Sequence, residues 1–122
     1  MHILLGIGGA RDSLLALHET AERAALTGDR LTVAILENPE SKQTPIAIEE
    51  TVLEEVKPHG IDVRVEHLDG DPGPALVSYA ESGEFDRLVI GGGKRSPMGK
   101  IALGPIAEFA LLNADISITL IR

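Results

Sequence analysis

The chain has 122 residues, of which 43% are apolar and only 2% aromatic, and its formal net charge is −8. This length suits one domain with a core of Val, Ile, Leu and Ala side chains, so we predict a single domain over residues 1–122. The sequence has no cysteine, which excludes disulfides, thiolate catalysis and cysteine-ligated zinc. Because duplex DNA and anionic membranes repel acidic proteins, we expect neither nucleic acid nor a membrane as a partner.

The beginning of the chain carries no recognisable targeting signal. Met1 is followed by an apolar run without a basic leader, and no apolar stretch is long enough to span a membrane. These features predict a cytoplasmic protein. The acidity fits ordinary solubility, or else adaptation to high salt.

Apolar runs of strand length recur along the chain. Continuous runs indicate buried strands, whereas the segment 61–66 alternates apolar and charged residues and indicates an edge strand with one wet face. The predicted strands cover residues 2–7, 31–36, 61–66, 88–90 and 116–121.

Four helices are predicted between these strands. Their capping and breaking residues set the limits. The first is capped by Asp12 or Ser13 and ends at Gly28, and its apolar face carries Leu14, Leu17, Ala21 and Ala24. The second opens at Thr44 and Pro45, and the third runs from Pro74 to about Gly83. The fourth runs from Gly104 and Pro105 to about Asn113.

The alternation of strands and helices predicts an α/β fold with one open, mostly parallel five-stranded sheet and helices on both faces. An alternating third strand belongs at an edge, and the apolar first and fourth strands belong inside, which gives the order 3-2-1-4-5. In this order successive strands are added on one side of the first strand up to the third, and on its other side from the fourth onwards. Ligands of open α/β sheets bind at such a switch point.

Two glycine-rich loops meet at the predicted switch point. One is "GIGGA" at 6–10, and the other is "GGGKRSPMGKIALGP" at 91–105, which carries Lys94, Arg95, Ser96 and Lys100. Glycines permit close backbone approach, and the cations and the following helix N-terminus can hold an anion. The alternative is a solvated, charged turn without a ligand.

Two familiar phosphate-binding motifs do not fit these loops. Gly99-Lys100 matches the end of a Walker loop, but Ile101 stands where Ser or Thr is required. The dinucleotide pattern G-x-G-x-x-G also fails, because Ser96 and Arg11 occupy the positions of its last glycine.

The whole chain resembles the universal stress protein family, whose domains have an adenine nucleotide alpha hydrolase-like fold. The family motif G-x-x-G-x9-G-S/T follows the fourth strand, and the matching segment here begins at Gly91 and ends at Gly104-Pro105. "DGDPGPALVSYAESGEFDRLVIGG" and "EFALLNADISITLIR" resemble the family's third helix with fourth strand and its ending. "GGGKRSPMGK" is similar to a basic loop variant of halophilic archaeal members, which favours the high-salt interpretation.

The resemblance implies ATP, with Mg²⁺ when bound, as the ligand of one branch of the family. Gly91 and Gly104 match motif glycines, and Ile35 is the nearest equivalent of a main-chain contact to adenine. Combined with the loop residues, this makes the candidate ligand-binding residues Gly8, Gly9, Ile35, Gly91, Gly93, Lys94, Arg95, Ser96, Gly99, Lys100 and Gly104.

Three positions depart from the family pattern. Lys94 replaces the second motif glycine, and Pro105 replaces the Ser/Thr and so lacks a hydroxyl and a backbone donor. Gly8 stands where the family's V-D-G-S pattern has its Asp. The two lysines of the loop, Lys94 and Lys100, can offset part of this loss by contacting phosphate as point charges.

Other candidate sites are weaker. "GGARDSLLAL" echoes the S-G-G-x-D-S loop of ATP pyrophosphatases with one residue too many, and Asp12 and Ser13 are more simply read as helix caps. The four histidines show no ligand spacing, so we predict no metal site and no catalytic residue. The apolar last strand at a sheet edge, with Ile116, Ile118 and Leu120, predicts pairing with a second copy, and the resemblance also implies dimers through this strand.

Three functions follow from these observations. The first is a regulatory domain that binds a nucleotide or phosphate and at most hydrolyses ATP slowly. The second is a dimeric interaction module of the same fold without a nucleotide, with an unknown protein partner. The third, supported only by "GGARDS", is an adenylating enzyme.

Overall fold

The structure is a computed structural model that describes residues 1–8, 11–37, 43–92, 94–95 and 101–121, with the backbone alone for 11, 12, 94, 95, 101 and 102. Helices and strands alternate through most of the chain. In order they are β1 (His2–Ile7), α1 (Arg11–Thr27), β2 (Arg30–Leu36), α2 (Pro45–Val56), β3 (Val63–Leu68), α3 (Pro72–Ala80), β4 (Arg87–Gly91), β5 (Lys94–Arg95), β6 (Ile101–Ala102), α4 (Pro105–Asn113) and β7 (Ile118–Ile121).

Five strands form one parallel sheet in the order β3-β2-β1-β4-β7. This confirms the predicted strand order. The alternating segment forms the edge strand β3, whose residues are half-buried or exposed, and β1 is buried from Ile3 to Ile7. From β1 to β3 successive strands are added on one side of β1, and from β4 onwards they are added on the other side. The carboxyl ends of β1 and β4 therefore frame the crevice where a ligand is expected.

The sheet separates two cores. On one face, α1 and α2 pack on alternate residues of β1 and β2, including Leu5 and Val33. On the other face, α3 and α4 cover Leu4, Leu88 and Ile90. Helices therefore lie on both faces, as the strand and helix pattern predicts.

Local chemistry sets the limits of several helices as predicted. Thr44 Oγ1 accepts a hydrogen bond from the Ala47 amide at 3.1 Å, and Pro45 follows as the first residue of α2. The first helix ends at Thr27, and Gly28, the predicted stop, follows it with φ of +75°. In this left-handed conformation glycine avoids the steric cost that other residues carry.

Other predicted limits are wrong. Helix α3 begins at Pro72 rather than Pro74, because the first turn of a helix needs no amide donors and tolerates both prolines. Helix α1 begins at Arg11, so Asp12 and Ser13 lie inside it and neither is its cap. Leu14, predicted on the buried face, is 42% exposed because α1 turns this position away from the sheet.

The glycine-rich segment after β4 contains a structure that the sequence did not predict. The two-residue strands β5 and β6 pair antiparallel, with Lys94 opposite Ala102 and Arg95 opposite Ile101. The chain thus doubles back between the sheet and α4. Within the part of the chain that the structure describes, no helix is both long and apolar enough to cross a membrane.

Candidate functional site

A cavity of about 150 Å³ opens between the carboxyl ends of β1 and β4, at the switch point of the sheet. Its lining comes from β1 and the start of α1, from the end of β2, from β4, and from the beginning of α4. The described lining residues are Gly6, Gly8, Ser13, Leu36, Ile90, Gly91, Gly92, Gly104, Pro105, Ile106 and Ala107.

Buried apolar side chains and glycines form much of this lining. Leu36 and Ile90 are almost fully buried. At Gly92, an added Cβ would lie 3.3 Å from the Ala107 Cβ and 3.6 Å from Leu120 Cδ1, so the absence of a side chain lets α4 pack close to the sheet. This close packing places the first turn of α4 beside the cavity.

The first turn of α4 lies on one wall of the cavity. Gly104 is its N-cap, in extended backbone with φ of −70°, and supplies no side-chain cap. The first hydrogen bond inside the helix runs from the Glu108 amide to the Gly104 carbonyl at 2.9 Å. The amides of Ile106 and Ala107 therefore have no partner within the helix and carry the partial positive charge of its N-terminus.

The beginning of α1 contributes another part of the lining. Ser13, the third residue of this helix, is only 7% exposed, and its Oγ accepts a long hydrogen bond of 3.4 Å from the Gly8 amide. No described lining residue has a titratable side chain. Among the described lining groups, those that favour an anion are therefore the first turn of α4 and the Ser13 hydroxyl, and none carries a fixed charge.

The candidate residues from the sequence fall into four groups. Gly8, Gly91 and Gly104 line the cavity, whereas the Ile35 side chain is 1% exposed in the core under α1 and α2. Lys94 and Arg95 have their backbone in β5, and their side chains lie outside the description. Gly9, Gly93, Ser96, Gly99 and Lys100 lie outside the described residues.

Sequence reasoning missed several lining residues. Ser13 was interpreted as a helix cap, and its inward placement depends on where α1 begins. Leu36 could have been found, because it is the last residue of β2 and so reaches the end of the sheet where the ligand crevice opens. Gly92 carried a signal too, as the middle glycine of the run after β4.

The histidines have partners elsewhere, and none is among the described residues of the cavity. His2 Nε2 lies 2.8 Å from Thr32 Oγ1, His18 Nδ1 lies 2.9 Å from Glu55 Oε1, and His67 pairs with Glu49. Among the residues with described positions, no three His, Asp or Glu side chains are grouped so that they could hold a metal ion.

The parallel sheet, its two helical layers and the cavity at the switch point define an α/β domain of the kind that binds ligands at the carboxyl ends of its strands. The family described as "Universal stress protein family" matches residues 1–122. The chain belongs to this family. A search of the curated proteins found no match.

Solved structures of the same family share the fold. A universal stress protein from Archaeoglobus fulgidus is 24% identical with a TM-score of 0.78, and the match covers 100% of this chain and 98% of that one. Another from the same organism, in complex with dAMP, is 21% identical with a TM-score of 0.72, covering 100% and 98%. A family protein from Arabidopsis thaliana with AMP bound is 13% identical with a TM-score of 0.71, covering 99% and 90%.

Proposed function

We propose that this protein is a small regulatory domain that binds an adenine nucleotide, with the phosphate end in the cavity at the switch point. The observation that carries the proposal is the uncapped first turn of α4, which lines the same cavity as Gly91 and Gly92 at the end of β4. Amides without partners at a helix N-terminus favour a phosphate group. Two structural relatives, named above, were solved with dAMP and with AMP, which supports this class of ligand.

The size of the cavity indicates which part of a nucleotide it holds. Its volume of about 150 Å³ is below the ~300–1,000 Å³ that is typical of pockets for whole small molecules. It therefore suits a phosphate with part of the ribose, while the base extends beyond the described lining. We propose AMP and ATP with Mg²⁺ equally as ligands of this site.

The described lining favours binding over catalysis. It contains no carboxylate, imidazole or amine that could act as a general acid or base. Gly8 also brings no carboxylate to hold the ribose, so we expect binding to depend on the phosphate more than on the sugar.

Substitutions at Gly104 test the proposal. Gly104→Asp places a carboxylate at the N-cap of α4, where it stabilises the helix but repels a phosphate. Gly104→Ala adds a methyl group that meets no described atom within 4 Å apart from its chain neighbours. Isothermal titration with AMP and with ATP plus Mg²⁺ should show binding to the wild type and to Gly104→Ala, and loss of at least tenfold in affinity for Gly104→Asp.

Thermal denaturation without ligand is the control for folding. Gly104→Asp should melt at or above the temperature of the Gly104→Ala variant, since Asp is a better N-cap than Ala. Equal nucleotide affinity in the two variants would contradict a phosphate at this helix.

A dimeric interaction module without a nucleotide is the second candidate. Strand β7 pairs only with β4 in the described sheet, and Ile118 to Ile121 stay half-buried, so its other edge is open to a second copy. The missing hydroxyl and amide donor at Pro105 also favour this candidate. Failure of AMP and ATP to bind the wild type would select it.

A further inference from the structure

We propose that Ser13 is a phosphate contact, whose hydroxyl donates a hydrogen bond to a phosphoryl oxygen of the nucleotide in the cavity. This inference rests on the proposed function. It adds to the site a residue from α1, outside the segment between β4 and α4. It gives the beginning of α1 a direct part in binding.

The surroundings of Ser13 leave its hydroxyl hydrogen available. Its Oγ accepts from the Gly8 amide, and no described residue accepts a hydrogen bond from it. Ser13 is only 7% exposed, and it is the only described lining residue with a polar side chain. Because this hydroxyl lines the cavity, an anionic oxygen placed there can accept its hydrogen.

A purely capping role does not explain this serine. An N-cap precedes the helix and accepts from amides of its first turn, whereas Ser13 is the third residue of α1 and accepts from the preceding Gly8. Gly9 and Ala10, which precede the helix in sequence, have no side-chain oxygen that could act as a cap. Ser13 therefore belongs to the lining of the cavity rather than to the cap of α1.

Ser13 also supplies what the α4 side lacks. Pro105, in the lining of the same cavity, has neither a hydroxyl nor an amide hydrogen. The α4 wall thus offers the backbone amides of Ile106 and Ala107 and no side-chain donor. A phosphate between the two helix N-termini would receive its side-chain hydroxyl contact from α1.

The test compares Ser13→Ala with the wild type by titration with AMP and with adenosine, which has the same base and sugar but no phosphate. Loss of a hydrogen bond to a charged group should weaken AMP binding by about tenfold or more. Adenosine affinity, followed by NMR shifts at millimolar concentration, should change less than twofold. Ser78→Ala, at an exposed serine of α3, is the matched control and should leave both affinities unchanged.

The outcomes separate this inference from the proposed function. AMP binding by the wild type with unchanged affinity in Ser13→Ala would overturn the role of Ser13 and leave the nucleotide site standing. Equal weakening of AMP and adenosine would also overturn it, because that pattern indicates a structural role. No AMP binding by the wild type would overturn both proposals.

A second variant covers failure of Ser13→Ala to fold. Ser13→Cys retains a side chain of similar size but is a weak hydrogen-bond donor. It should again weaken AMP and spare adenosine, and wild-type affinity for AMP would contradict the proposal.

Discussion

Gly6 shows how one residue of β1 fixes the distance between the sheet and α3. A Cβ at this position would lie 2.7 Å from Leu76 Cδ2 and 3.0 Å from Leu76 Cδ1, and Leu76 is fully buried. We therefore predict that Gly6→Ala lowers the free energy of unfolding by about 1–3 kcal/mol, because the leucine has little room to move away. Urea denaturation measures the change.

A double-mutant cycle with Leu76→Val tests the cause of that loss. Valine lacks the two methyl atoms of the clash, so Gly6→Ala should cost at least ~0.5 kcal/mol less in this background. Equal costs in both backgrounds would mean that the effect does not come from Leu76.

Asp29 links the stability of the protein to pH. The Thr27 hydroxyl donates a hydrogen bond of 2.6 Å to Asp29 Oδ2, which lowers the pKa of this carboxyl below its ordinary value of 3.8. Partial burial of the carboxyl raises its pKa, and the Met1 amino group at 3.2 Å lowers it further. A carboxyl with a lowered pKa in the folded state stabilises at neutral pH and loses this effect as the pH falls through that lowered pKa. Stability should therefore fall more steeply in the wild type than in Asp29→Asn as the pH falls below that ordinary value of 3.8. Parallel curves from urea denaturation across this range would contradict it.

At the scale of elements, a single side chain fixes the beginning of α2. Thr44 is exposed, so its contribution comes from the hydrogen bond to the Ala47 amide and not from packing. Helix α2 covers one core with Ile48, Val52 and Val56. We predict that Thr44→Ala lowers the free energy of unfolding by about 0.5–2 kcal/mol, and that Thr44→Ser retains most of it. Matching denaturation midpoints for the alanine and serine variants would exclude the capping contribution.

The pattern of the elements was predictable because burial in a parallel sheet depends on strand position. Segment 61–66 alternates because β3 has a solvated face at the sheet edge. Strands β1 and β2 are mostly apolar beyond their first residues because helices cover both faces. These two patterns alone determine most of the strand order. The switch point and its glycines follow from that order.

Helix limits and side-chain directions were less predictable, because tertiary packing decides them. Pro72 and Pro74 both suit the first turn of a helix, so the sequence does not decide between them. The helix begins at Pro72 and therefore includes Gly73, where an added Cβ would lie 2.9 Å from Phe109 Cγ in the contact between α3 and α4. Ser13 is equally suited to a cap or to a buried wall, and only the start of α1 at Arg11 places it in the cavity. The high-salt interpretation and the roles of Lys94, Arg95 and Lys100 stay predictions.

At the scale of the whole molecule, β3 and β7 are the two edges of the sheet but differ in composition. Edge strand β3 carries charged side chains, including Arg64 and Glu66, which protect it from pairing, whereas β7 reads Ile-Thr-Leu-Ile. We propose that two copies associate through β7. Light scattering after size exclusion should give twice the chain mass of 12.9 kDa.

Matched lysine substitutions on the two edges test this association. Ile118→Lys should shift the protein to a monomer, and Val65→Lys, at a half-buried position of β3, should leave the dimer intact. Dimers in both variants would place the interface elsewhere, and a monomeric wild type would remove the proposal.

The most direct test of the central claim is mass spectrometry of small molecules released from freshly purified, denatured protein, together with a melting curve in millimolar AMP or ATP. The proposed site predicts an adenine nucleotide at up to one per chain, or a rise in melting temperature when nucleotide is added. A protein that is empty on purification and melts at the same temperature with and without nucleotide would contradict the account.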